Sequence, residues 1–79
     1  MNLDSFKDFK LDTYYRGIKT ITCEITDNGL IFSNKDKIVI DDNNIYLNGK
    51  LISNDPTIDS NELKELYKYH LTKKGYKFI

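Results

Sequence analysis

The chain has 79 residues, enough for one domain and close to the lower limit for folding on a single core. Its 39% hydrophobic residues, 30% charged residues and zero net charge suit an ordinary globular protein and exclude a disordered chain or a strongly basic one. The single cysteine, Cys23, excludes an intrachain disulfide and a zinc cage of several thiolates, and no run of about 18 apolar residues is present to form a membrane span.

The first residues, "MNLDSFKDFKLD", lack the apolar run of a signal peptide, and no N-x-S/T sequon occurs. A cytoplasmic, reducing setting is therefore expected. Ala, Gln and Trp are absent and Arg16 is the only arginine, whereas Asn, Lys, Ile, Asp and Tyr abound. Such a bias fits an AT-rich genome, as in a low-GC bacterium, its phage or another mobile element.

In chain order, Asp4 is placed to cap one helical turn over "SFKDF", which turns Phe6 and Phe9 inward. "LDTYY" begins an extended stretch that reverses at Arg16-Gly17. "IKTITCEIT" (18–26) alternates Ile21, Cys23 and Ile25 against Thr20, Thr22 and Glu24, the period of a half-buried strand. Asn28-Gly29 predicts a type I′ hairpin into "LIFS" (30–33). "SNKD" and "DDNN" then turn the chain into "KIVI" (37–40) and "IYL" (45–47). Asn48-Gly49 predicts a second tight hairpin into "KLIS" (50–53). "NGLIFSN" (28–34) and "NGKLISN" (48–54) thus read as two return strands of one meander, with "NGLIFSN" the interior strand and "NGKLISN" nearer an edge.

Pro56 ends the strand-forming region, and the period changes. Asp59 is an N-cap with Glu62 at N3, and Ile58 and Leu63 have the spacing of a hydrophobic staple. Leu63, Leu66, Tyr67, His70 and Leu71 form one apolar stripe of a helix over about residues 60–74. Lys73 and Lys74 oppose its dipole, Gly75 supplies the left-handed C′ residue, and Tyr76 can pack back on Leu71. "YKFI" can add one last short strand. The fold expected for residues 1–79 is a single α+β domain. It is an antiparallel β-meander of about five strands, twisted or curled into a small open barrel, with one C-terminal helix packed on it.

One packing constraint bears on function. "LIF", "IVI" and "IYL" place apolar residues on both faces of their strands, and one helix covers one face. The second face must be closed by curling, covered by the Phe6/Phe9 segment, or left for a partner.

Candidate chemistry is sparse. Cys23 and His70 are the only residues that could form a nucleophile and its base, but both fall on apolar stripes, and no Gly-rich oxyanion loop accompanies them. "DDNNIYLNG" fails the calcium-loop pattern, since Ile45 and Tyr46 occupy its fifth and sixth positions. No phosphate-binding glycine motif occurs. No catalytic residue, metal ligand or cofactor is therefore assigned, and no enzyme is expected.

Charge is unevenly placed. Residues 24–62 carry eight acids against three lysines, and residues 63–79 carry five lysines against one acid. Asp27, Asp36, Asp41 and Asp42, all in turns, together with Tyr69, are candidates for meeting a basic partner. Lys64, Lys68, Lys73, Lys74 and Lys77, interleaved with tyrosines, are the candidates for nucleic acid. The function expected is a non-enzymatic intracellular protein that binds and regulates or inhibits a larger protein. Phages and mobile elements encode such proteins, and an inhibitor of host defence, such as an anti-CRISPR, would be one instance. The alternative is a nucleic-acid-binding accessory protein using the basic helix. A homodimer is a further option, and no membrane partner is expected.

Overall fold

Turn chemistry sets where this chain reverses, and hydrophobic period sets which side of each strand faces in. The computed structural model of the protein describes residues 2–79. A 3-10 turn, Asp4–Phe6, precedes strands β1 (Lys10–Tyr14), β2 (Ile18–Thr26), β3 (Gly29–Phe32), β4 (Lys37–Asp41), β5 (Asn44–Leu47) and β6 (Lys50–Ser53). Helix α1 (Ser60–Lys73) and strand β7 (Lys77–Phe78) complete the chain. All strand pairs are antiparallel, in the order β6-β5-β4-β3-β2-β1-β7. The sheet is curled into a half-barrel. The expected meander of about five strands is thus extended to seven, because "LDTY" pairs with β2 and "KF" pairs with β1. After β6 the helix carries the chain across the inner face to the opposite edge of the sheet.

The helix forms where its signals predict. Asp59 is extended and its Oδ1 accepts from the Glu62 N–H at 2.9 Å. At the other end, Gly75 has φ 103°, its N–H donates to the Thr72 carbonyl, and the Tyr76 N–H donates to the Leu71 carbonyl. This is a Schellman arrangement. Leu63, Tyr67 and Leu71 are fully buried against Ile21, Leu30, Phe32, Ile38, Ile45 and Leu47 from the inner sheet face. Aromatic rings concentrate at the centre. Tyr67 stacks on Phe32 with centroids 3.8 Å apart, and Phe9 meets both rings edge-on. Phe6 is buried beside Phe9, so the N-terminal segment packs on the same face as the helix rather than on the second face. The outer face remains uncovered.

The two Asn-Gly pairs differ. Asn48 and Gly49 have φ 52° and 85°, as the type I′ hairpin requires. At the other pair, Thr26 faces Gly29 across the ladder, so the reversal lies at Asp27-Asn28 and neither Asn28 nor Gly29 has positive φ. Gly29 is the first residue of β3 and is needed there for a different reason: an added Cβ would collide with the Ile38 carbonyl oxygen of β4. Gly29→Ala should therefore cost about 2–4 kcal/mol of stability in urea unfolding, as overpacked core positions do. Gly49→Ala meets open space and should cost only about 1 kcal/mol, through its left-handed backbone. Equal losses in the two variants would contradict the close approach of β3 and β4.

Candidate protein-binding surfaces and the Asp36 network

The four turn acids do not form one set. Asp36 lies at the β3–β4 turn and is buried, with 4% exposure. Its Oδ1 accepts from Asn48 Nδ2 at 2.9 Å and Lys74 Nζ at 3.3 Å. Its Oδ2 accepts from the Tyr67 hydroxyl at 2.9 Å and Asn34 Nδ2 at 3.1 Å. Burial works to raise its pKa, but the donors from Asn48 and Tyr67 and the Lys74 ammonium outweigh it and hold the carboxyl below its ordinary value. Asp36 is therefore a structural acid and is withdrawn from the partner-binding candidates. Two more of its neighbours respond. Burial, with Asp36 adding to it, pushes the Tyr67 hydroxyl far up. His70 Nε2 is buried without a hydrogen-bond partner, 3.7 Å from Asp36 Oδ2. Burial lowers the His70 pKa, and the opposing pull of Asp36 is insufficient against it together with Lys74 and Lys73.

Asp27 and Asp42 stand in the β2–β3 and β4–β5 turns, with Asp41 beside Asp42, all at the opposite end of the sheet from Asp36. There Asp27, Asp42 and Asp55 rim a cleft of about 220 Å³ floored by Ile40, Ile45 and Ile58. Asp55, which sequence reasoning did not select, accepts from the Thr57 N–H and hydroxyl at 2.8 and 2.7 Å, and these bonds lower its pKa. The "DPT" stretch signals this local turn, but only the folded topology brings it to the other acids.

The outer face carries an apolar stripe beside this acidic end. Leu51, Tyr46, Val39 and Gly29 lie opposite one another in successive strands. Ile31 is diagonal to Val39, since its direct partner is Lys37. Ile31 and Leu51 are 40% and 48% exposed, whereas Val39 and Tyr46 are half-buried. Glu24 flanks Ile31, and Asp41 lies on the Val39 side of β4, on this same face.

Tyr69 is on α1, away from the acidic end, and 63% exposed. The five lysines do not share a surface. Lys64 and Lys68 lie over the rings of Phe6 and Phe78, at 5.2 and 5.3 Å, on one flank of the helix. Lys73 lies over Tyr69 at 5.2 Å on the other flank, Lys74 is committed to Asp36, and Lys77 sits opposite Tyr14 in the sheet. Cys23 is half-buried on the inner side of β2, and burial, with Glu24 adding to it, pushes its thiol up to about 11. Among the described residues no group of three or more His, Cys, Asp or Glu is placed to hold a metal ion. No described helix is long and apolar enough to cross a membrane. Comparison with protein-family models, with curated proteins and with solved structures yields no match.

Asp36→Asn should lose about 2–4 kcal/mol, because it removes the charge that faces the Lys74 ammonium and turns an amide NH2 toward two of the four donors, either Asn48 and Lys74 or Tyr67 and Asn34. The pH dependence follows from the two lowered values. His70 is held neutral in the fold, so its contribution is complete above its ordinary value of about 6.5 and declines as pH falls through its lower folded value. Asp36 adds stability that is complete above about pH 4 and is lost as pH falls through its depressed folded value. Urea midpoints measured from pH 8 to 2 should show the upper loss disappear in His70→Asn and the lower loss shrink in Asp36→Asn. The Cys23 thiol should react with a disulfide reagent at pH 7.5 roughly tenfold or more slowly in the native protein than in denaturant. Equal rates would show an accessible, activated thiol.

Proposed function

We propose that this chain is a non-enzymatic protein-binding regulator or inhibitor that engages a larger protein through the outer face of its sheet. The observation that carries the reading is the stripe of Ile31, Val39, Tyr46 and Leu51, left open because the helix and the N-terminal segment both pack on the inner face. Aliphatic and tyrosine side chains in adjacent strands suit the desolvated centre of an interface, and the rim charges orient it. Asp41 and Glu24 on this face, with Asp27 and Asp42 at its end, favour a partner surface that is basic around an apolar centre. The intracellular setting and the phage or mobile-element origin suggested by composition belong to the same proposal, as does host-defence inhibition as one instance.

Affinity capture from nuclease-treated lysate of a low-GC bacterium, read by mass spectrometry, tests this. The wild-type chain should retain a specific host protein. Ile31→Asn should lower its recovery at least about tenfold, the cost of a central contact, while the variant stays folded with a thermal midpoint lowered by only several degrees. Asp41→Asn with Asp42→Asn should weaken capture most at low salt. Equal capture by all variants, or capture only before nuclease treatment, would refute the reading.

A further inference from the structure

Along the β6 edge the helix and the sheet do not close on one another. Two clefts, of about 660 and 270 Å³, run end to end between α1 and β6 and share Ile52 and Leu66. Strand and helix run in opposite directions here. Lys50 and Leu51 of the strand lie with Tyr69 and Lys73 of the helix, while Ser53 and Asp55 lie with Asn61 and Glu62. The middle is apolar, and the charges are sorted by end. Asp55, Glu62 and Glu65 line one end, where the basic lining residue, Lys64, has its ammonium over the Phe6 ring and Lys68 Nζ, outside the lining, lies 3.9 Å from Glu65 Oε1. Lys50 and Lys73 line the other end.

A groove sorted in this way is complementary to itself after a half-turn. We propose that its occupant is a second copy of this chain, related by a two-fold axis near Ile52 and Leu66. The acidic end of each copy then meets the basic end of the other, and each buries Tyr69 and Leu51. This is an isologous contact, in which one patch serves both subunits. Zero net charge removes the long-range repulsion that would oppose it. Backbone pairing is secondary. β6 is the open edge of the sheet, but it has four residues and a register shift at its pairing with β5, features that discourage edge-to-edge strand addition. Packing across the groove and the reversed charges define the contact. A foreign strand binding the same edge would have no need of opposite charge at the two ends. The inference goes beyond the regulatory reading and uses a surface that shares only Leu51 with the outer stripe, so either can fail alone.

Sedimentation equilibrium of the full chain from about micromolar to about millimolar concentration tests it at low salt. The wild-type protein should show a reversible monomer–dimer equilibrium. Lys50→Glu with Lys73→Glu makes both ends acidic, and Glu62→Lys with Glu65→Lys makes both predominantly basic. Each double variant should self-associate at least about tenfold more weakly, and an equimolar mixture should restore the dimer. A monomeric wild-type chain, undiminished self-association of either variant, or a mixture that stays monomeric would overturn the proposal. Thermal unfolding establishes that each variant is folded. Should a charge variant not fold, Tyr69→Ser gives the same reading at an exposed position: weaker association supports the contact and unchanged association overturns it.

Discussion

An ionised carboxylate in the interior of so small a domain demands compensation, and the way Asp36 receives it organises the layers. Its four side-chain donors come from the β3–β4 turn, the β5–β6 hairpin and both the middle and the end of α1. Any one of these elements moved by a few ångströms would leave a buried charge short of a donor, which costs far more than a surface hydrogen bond. Helix position and hairpin position are therefore coupled through one side chain. Asn48 takes part in two ways, since its left-handed backbone makes the type I′ turn while its amide reaches Asp36 and the Lys37 N–H.

That anchoring fixes where the aromatic core can form. With its hydroxyl held by Asp36, Tyr67 lays its ring flat on Phe32, and Phe9 closes over both. Phe6 follows Phe9 onto the same side. Three of the four phenylalanines and Tyr67 are thereby spent on the inner face. The N-terminal segment has no comparable apolar content left with which to cover the outer face.

Local signals made much of this legible from the residues. Asp59 and Gly75 bracket the helix because their caps depend only on neighbouring backbone, and Asn48-Gly49 specifies its turn for the same reason. Asn28-Gly29 has the same letters and a different role. Strand-to-strand closeness at Ile38, which no local window contains, determines its glycine. Asp36 was legible as a turn residue and illegible as a buried one, since "SNKD" reads like any polar turn until the helix is docked on it. Residues 10–14 and 77–78 read as an extended stretch and a last short strand without clear alternation, and they become strands because each finds an edge to pair with. The acidic end was half legible: Asp27, Asp41 and Asp42 follow from the meander, but Asp55 arrives only through the path of the connection to α1.

The distribution of charge separates two kinds of surface. On the outer face, Glu24, Asp41 and the nearby turn acids surround an apolar stripe with predominantly one sign, relieved by Lys37 on β4. Such a surface repels a copy of itself and attracts something basic. In the groove beside β6, both signs are present but sorted to opposite ends, so the surface attracts its own image after a half-turn. Electrostatics sets partner and orientation more than it sets strength. By that criterion the occupant proposed for the outer face is a different molecule, and the occupant proposed for the groove is a second copy. The two contacts meet only at Leu51, whose side chain belongs to the outer stripe and whose strand forms the wall of the groove. Occupation of one surface would bury part of the other at that single residue, so the proposed dimer and the proposed partner would compete there for the same apolar area.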